Sequence, residues 1–247
     1  MNVFLCGATS AVGSALARRL AARGWNLFLA ARNADALERV AADLRIRGSG
    51  HIVTRVCDVV DGDSLAAAFA EAVNAFADPL DGVIVCHGAL LEERNRFLIA
   101  TEIRQTIDVN FTSAAILLSL AAEYLTSRGQ GFLVAISSVA GDRGRQSNYT
   151  YGAAKAGLTA YLSGLRNRLY RSGVTVITVK PGMIDTPMTR SLCIRKGPLM
   201  TTPERVAFDI EAAILRRRDV IYSPWYWRSV MAVIKAIPET IFKRMRL

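Results

Sequence analysis

The sequence predicts an α/β fold: a single doubly wound parallel sheet with helices on both faces. Two observations carry that prediction. Short apolar, β-prone runs alternate with amphipathic helical stretches along the chain, and the residues suited to chemistry gather where those runs stop, at the carboxyl ends of the strands. The 247 residues, 51% of them hydrophobic, can bury one sizeable core, and no linker, repeat or composition break divides them. The expected organisation is one domain over 1–223 followed by an amphipathic basic tail over 224–247.

The first strand is Asn2 to Cys6. Met1 to Leu5 lacks a basic flank and runs straight into a glycine turn, so it reads as a strand and not as a signal peptide. Gly7-Ala8-Thr9-Ser10-Ala11-Val12-Gly13 follows, then a helix from Ser14 to Arg23 with Gly24 as its C′ cap. A strand, a glycine turn and a helix start make an anion site, because backbone N–H groups and the helix dipole can hold a pyrophosphate. Gly7 and Gly13 allow close approach, Thr9, Ser10 and Val12 complete the turn, and the unit is that of a dinucleotide-binding (Rossmann) domain. Ala11 stands where many such loops have glycine, and an ordinary βα turn is the competing reading.

The second strand, Asn26 to Ala31, ends at Arg32. Ala31 removes the carboxylate that would repel a 2′-phosphate and Arg32 offers a guanidinium to bind one, so NADP(H) is the expected cofactor, with NAD(H) as the lesser option. The bland alternative is a surface arginine in a basic protein. A helix near Asp35 to Ile46 leads to a strand, His51 to Val56, that ends at Cys57-Asp58-Val59. Asp58 is placed there to meet the adenine amino group, with Val59 beside it. Asp63 is the expected N-cap of the next helix. Asp81 to Cys86 supplies a fourth strand, and Gly88 after it lets the backbone pass close to the cofactor. The long helical stretch from Thr101 to Thr126 carries Asn110, a poor mid-helix residue that is either solvated or serves a buried network.

Phe132 to Leu162 brings the chemistry. Ser138 lies at the end of a strand; Tyr151 and Lys155, four residues apart at the start of a helix, share one face. A free tyrosine, with a pKa of about 10, is a poor acid-base group near neutrality. The Lys155 cation is expected to lower it, while Ser138 can hydrogen-bond the same substrate oxygen. Such a trio suits a carbonyl becoming an alcohol or the reverse; an exposed tyrosine and lysine on a surface helix is the alternative. A further strand, Val174 to Val179, ends in Pro181-Gly182-Met183-Ile184-Asp185-Thr186.

The four cysteines, Cys6, Cys57, Cys86 and Cys193, lack metal spacing and fit a reducing cytoplasm. With His51 and His87 the only histidines, no zinc site is expected. The aliphatic runs are too interrupted by charge to supply a span of ~20 residues. Much of the formal net charge of +10 lies late in the chain, at Arg216, Arg217, Arg218, Arg228, Lys235, Lys243, Arg244 and Arg246. Mixed with Trp225, Trp227, Ile234, Ile237, Ile241 and Phe242, it has the composition of an interfacial helix near anionic lipid, divided at Pro238. A dimer or lid helix packed on its own protein is the competing reading. No nucleic-acid motif accompanies the charge.

In order and approximate spacing, the Gly7–Gly13 turn, Asp58, Asn110, Ser138, Tyr151-x-x-x-Lys155 and Pro181-Gly182…Thr186 resemble a short-chain dehydrogenase/reductase over nearly the whole chain. The resemblance implies that Tyr151 donates a proton to a substrate carbonyl, Ser138 polarises it and Lys155 binds the nicotinamide ribose. It also implies that Asn110 holds a helix distortion and the water of a proton relay, and that Thr186 contacts the carboxamide, with Pro181, Gly182 and Ile184 lining the same part of the cofactor. Val85-Cys86-His87-Gly88 departs from the family's Asn-Asn-Ala-Gly. A homodimer or homotetramer is the family's expectation. More narrowly, Ser138 to Arg145 and the tail from Tyr222 to Arg244 resemble decaprenylphosphoryl-2-keto-erythro-pentose reductases. That likeness implies a polyprenyl-phosphate-linked keto-sugar substrate, a partner flavin oxidase, glycan biosynthesis and work at the inner face of the membrane. Reduction of another ketone, steroid or acyl, stays open, as does a non-catalytic dinucleotide sensor; a lid near Met188 to Thr202 would choose the substrate.

Overall fold

The structure is a computed structural model that describes residues 1–48, 50–93, 96–190, 197 and 199–245. In chain order the elements are β1 (Asn2–Cys6), α1 (Ala11–Ala22), β2 (Asn26–Ala31), α2 (Ala34–Arg47), β3 (Ile52–Val56), α3 (Gly62–Val73), β4 (Gly82–Val85) and α4 (Ala100–Ile107). A π turn, Asp108–Thr112, joins α4 to α5 (Ser113–Arg128), which leads to β5 (Gly131–Ile136) and α6 (Tyr149–Arg168). Then come β6 (Val174–Pro181), β7 (Met183–Ile184), α7 (Pro187–Arg190), β8 (Met200–Thr201), α8 (Pro203–Leu215), β9 (Val220–Ser223), α9 (Trp227–Ala236) and α10 (Glu239–Phe242).

Among the described residues one sheet of seven parallel strands runs in the order β3-β2-β1-β4-β5-β6-β9. Its central strands read as unbroken apolar runs because both faces are covered. In β1, Val3 and Leu5 enter the layer shared with α1, α2 and α8, whereas Phe4 and Cys6 enter the layer under α3, α5 and α6. The strand order reverses between β1 and β4, which opens a crevice at the carboxyl ends of those strands.

Several boundaries differ from the sequence expectation for local reasons. Helix α1 starts at Ala11 and not Ser14, because Ser10 is extended and its Oγ accepts from the Gly13 N–H at 3.0 Å. Helix α3 is capped by Asp61 and not Asp63: Asp61 Oδ1 takes the N–H groups of Asp63 and Ser64. The segment Ala100–Arg128 is, by length and composition, long and apolar enough to span a bilayer, contrary to the reading of interrupted runs. Here Leu117, Leu118, Ala121 and Leu125 bury its inner face against the sheet, so it serves as a core helix.

The carboxyl-terminal segment packs in part on the protein, as the competing reading of its composition has it. Strand β9 extends the sheet beside β6, and the helix beyond it divides at Pro238 into α9 and α10. Trp227 and Met231 form a third core cluster with Val139, flanked by Val230 and Ile234, and Phe242 is buried as well. Of the apolar residues read for a lipid boundary, Trp227 and Phe242 are therefore buried in the protein and Ile234 and Ile237 half-buried. Trp225, Val233 and Ile241 remain outward.

Candidate active site

The crevice begins at the glycine turn. Gly7 has φ +86°, a left-handed conformation that suits glycine, and a Cβ there would collide with the His87 amide. At Gly13 a Cβ would meet the Gly7 carbonyl oxygen, so the turn lies flat against the helix start. Ser10 satisfies the Gly13 N–H through its side chain and the Ser14 N–H through its carbonyl. The N–H groups of Ala11 and Val12, in the first helical turn, have no intrahelical acceptor and add to the positive end of the dipole. Ala11 fits as the first helical residue, where its Cβ is accommodated.

The next strand ends line up beside this turn. Ala31 is buried and Arg32 exposed at the tip of β2. Past β3, exposed Asp58 accepts the Val60 N–H through Oδ1 at 3.1 Å, which stiffens the turn that also holds Val59. Past β4 the departing residues have defined partners. His87 Nε2 lies 2.9 Å from Ser113 Oγ, and burial presses its pKa down to about 3, so the ring is neutral. Burial also raises the Cys86 thiol to about 12, which leaves it inert as a nucleophile.

Asn110 serves a buried network, one of the two roles the sequence left open. It is 1% exposed; its Nδ2 donates to Ala89 O at 2.8 Å and Thr106 O at 2.9 Å, and its Oδ1 accepts from Ala89 N at 3.1 Å. The amide thus ties the π turn to the loop after Gly88. A Cβ on Gly88 would lie 3.0 Å from Asn110 Oδ1 and 3.6 Å from Lys155 Nζ, so the three residues meet.

Ser138 lies two residues past β5, where its Oγ accepts the Ala140 N–H at 3.1 Å, and its hydroxyl is near enough to Tyr151 to act on the phenol. Lys155, one helical turn further along α6, is 3% exposed; its Nζ donates to Ile136 O at 2.9 Å and sits 5.8 Å from the centre of the Tyr151 ring. The expected lowering of the Tyr151 pKa by Lys155 is not found. Burial pushes the phenol up to about 12, with the Ser138 hydroxyl pulling the other way, and burial presses Lys155 down to about 8. The ammonium is turned toward the β5 carbonyl, so desolvation wins at both groups.

Pro181 closes β6, and the Gly182 N–H pairs with Ser223 O at 3.0 Å. Ile184 pairs with Thr201 in a two-stranded ribbon. The Thr186 N–H donates to Thr189 Oγ1, which in turn donates to Ile184 O at 2.6 Å. Cys193 and about half of the lid expected between Met188 and Thr202 lie outside the described residues. Among those described, no group of three His, Cys, Asp or Glu side chains converges in a way that could hold a metal.

Two residues near the site were not foreseen. Glu93, 4% exposed, accepts the Thr150 N–H through both oxygens at 3.2 and 3.0 Å, a carboxylate at the positive end of α6 just ahead of Tyr151. Trp227 lies against Gly182 so closely that a Cβ there would overlap the indole. Trp227 and Met231 at i, i+4 were a visible signal for an inward helix face; Glu93, 57 residues upstream of its partner, carries none.

A helix start over a glycine turn at the sheet's switch point, adjoining a buried Asn, Ser and Lys and a half-buried Tyr, defines an NAD(P)-dependent oxidoreductase of Rossmann fold. The profile of the short chain dehydrogenase family matches residues 1–196, and the chain belongs to that family. An uncharacterized oxidoreductase of Mycobacterium tuberculosis is 35% identical over 245 residues, 98% of this chain and 96% of that one. Another, from Streptomyces coelicolor, is 37% identical over 248 residues, 99% and 95% of the two chains. Among solved structures, a short-chain dehydrogenase from Sphingobium yanoikuyae in complex with NADPH superposes with a TM-score of 0.83 at 25% identity, covering 97% of each chain. A Mycobacterium ulcerans short-chain type dehydrogenase/reductase shares the fold, with a TM-score of 0.81 at 23% identity over 98% and 97% of the chains.

Proposed function

We propose that the protein is an NADPH-dependent ketone reductase in which Tyr151 gives the proton and Ser138 holds the substrate oxygen. The observation that carries this reading is the grouping of Ser138, Tyr151 and the buried Lys155 at one place, with Lys155 Nζ 5.8 Å from the centre of the Tyr151 ring. With the phenol at about 12 and Lys155 at about 8, both groups are protonated at pH 7, the state required for reduction. As the proton leaves Tyr151, the Ser138 hydroxyl, which already pulls the phenol's pKa down, stabilises the new negative charge in a medium of low dielectric, where such contacts are strong. Asn110 keeps the π turn and the 86–89 loop in register beside Lys155.

The residues fit a dinucleotide. The Gly7–Gly13 turn, with Thr9, Ser10 and Val12, would take the pyrophosphate, Arg32 the 2′-phosphate, and Asp58 and Val59 the adenine. Gly88, Lys155, Pro181, Gly182, Ile184 and Thr186 would frame the nicotinamide half. When bound, NADPH supplies the hydride. NADH fits the same crevice without a partner for Arg32, and the NADPH in the Sphingobium yanoikuyae neighbour supports the same preference.

For the ketone we propose a keto sugar on a polyprenyl phosphate, delivered by a flavin oxidase at the inner face of the membrane. The likeness of Ser138–Arg145 and of the tail supports this, together with outward Trp225, Val233 and Ile241 beside Arg228, Lys235, Lys243 and Arg244. Burial of Trp227, Met231 and Phe242 favours the second reading, a steroid or acyl ketone met in the cytoplasm by a homodimer or homotetramer. Oxidation of NADPH by a panel of polyprenyl-linked, steroid and acyl ketones separates the two. Binding to anionic vesicles at low salt, lost in Trp225→Ala, belongs to the first reading only.

A further inference from the structure

We propose that the carboxyl-terminal helices position Ser138 and Tyr151 by gripping the loop between them, with Arg143 as the positioning residue; this rests on the reductase reading. The loop runs from Ser138, just past β5, to Tyr149, where α6 begins. A short turn at Val139–Gly141, capped by Ser138 Oγ on the Ala140 N–H at 3.1 Å, fixes only its start, yet both ends carry a group proposed to touch the substrate.

Arg143 reaches across to the end of α9. Its Nη1 donates to the carbonyls of Ile234 at 2.7 Å, Lys235 at 3.3 Å and Ile237 at 2.5 Å, and its Nη2 pairs with Glu239 Oε2 at 2.9 Å. The guanidinium lies 3.7 Å from the centre of the Phe242 ring. The last carbonyls of a helix lack intrahelical donors and carry the negative end of its dipole, so a cation with several N–H groups suits them. A planar guanidinium can also stack on an aromatic face while it donates. One side chain from the loop therefore closes α9, pairs with α10 and stacks on the ring that anchors α10.

Its neighbours are held from the same side. Val139 is buried with Trp227 and Met231, and Arg145 Nη2 lies 3.3 Å from Met231 Sδ. Asp142, its side chain 3% exposed, takes Lys180 Nζ at 2.5 Å and the Tyr222 hydroxyl at 2.8 Å, which binds the loop to β6 and β9. Trp227 fills the space beside Gly182, so the same helix also abuts the strand end proposed to face the nicotinamide. The tail is thus part of the site's wall, attached at successive residues of one loop.

The test uses the full-length chain with Arg143→Ala, Arg143→Lys and Phe242→Leu. Amide hydrogen exchange in the absence of substrate should quicken at least tenfold over 139–148 and 230–242 in Arg143→Ala, with β1 to β4 unchanged. NADPH affinity should stay within about threefold, while kcat for ketone reduction falls about tenfold to a hundredfold. Arg143→Lys should recover only part of it, because an ammonium cannot serve the carbonyls and the ring together. Added guanidinium should restore kcat in Arg143→Ala. Phe242→Leu keeps the ionic contacts and should give a smaller effect of the same pattern, which covers an Arg143→Ala chain that fails to fold. Unchanged exchange over 139–148 in the variants overturns the grip, and so does quickened exchange with kcat within twofold of wild type. If the wild-type chain reduced no ketone, the reductase reading would fall, and the exchange data would still decide whether the tail holds the loop.

Discussion

The amino-terminal half of the site and its carboxyl-terminal half are built by different means. Around the glycine turn the turns close locally, Ser10 capping α1 through Gly13 and Asp58 closing its own turn on Val60, on a β1–β2 pair in register from Asn2–Asn26 to Cys6–Ala30. Around Ser138 and Tyr151 the partners come from far along the chain, Glu93 to Thr150, Arg143 to Ile237, Trp227 to Gly182. The first half can be broken by one backbone change. The second spreads its support over contacts that weaken by degrees.

The largest effect is therefore expected at the turn. Gly7→Val places a β-branched side chain at a positive φ and against the His87 amide, and NADPH affinity should fall at least a hundredfold by fluorescence titration. If the affinity stayed within tenfold, the turn would not be the pyrophosphate site.

Lys155→Met sharpens the contrast because function and stability should move in opposite directions. Reduction should be lost, but a buried charge is removed. The drop from 10.5 to about 8 corresponds to on the order of 3 kcal/mol of cost to the folded state at pH 7. The folded pKa lies below the unfolded one, so the unfolded chain holds more protons between about 8 and 10.5, and wild-type stability rises with pH across that window. The variant's Tm advantage, several degrees at pH 7, should shrink over the same range. An advantage independent of pH would mean that Lys155 is not the titrating group.

These two halves also explain what the sequence could disclose. Strands such as Asn26 to Ala31, the helix stop at Gly24 and the division at Pro238 were legible because apolar runs, glycine and proline act locally. The Asn110 network was half legible, since a mid-helix asparagine signals a need without naming Ala89 or Thr106 as the partners. Glu93, the Arg143 contacts and the inward face of α9 were not, because composition alone cannot tell whether Trp227 and Phe242 face lipid or Gly182 and Arg143. The Tyr151 pKa went astray for the same reason: spacing places Lys155 one turn away, but burial and the Ile136 carbonyl decide its effect.

Smaller changes probe the cofactor edge. Arg32→Ala should reduce the NADPH preference over NADH about tenfold to a hundredfold in kcat/KM, as charge-assisted contacts to phosphate contribute a few kcal/mol at most. Equal kcat/KM for both cofactors in the wild-type chain would remove Arg32 from that role. In the far half, Trp227→Phe should cost less stability than Trp227→Ala, for which about 3–5 kcal/mol is expected of a buried aromatic, read from urea midpoints.

The central claim is that Tyr151 supplies the proton, and a single-turnover experiment tests it most directly. Wild-type and Tyr151→Phe proteins are loaded with NADPH, mixed with a ketone that the wild type reduces, and followed by the loss of NADPH absorbance at pH 7. The expected result is NADPH binding within about threefold of wild type and oxidation slowed at least a thousandfold, since the ring remains and only the hydroxyl is gone. Near wild-type oxidation by Tyr151→Phe with bound NADPH would contradict the assignment and send the search for the acid to another group in the crevice.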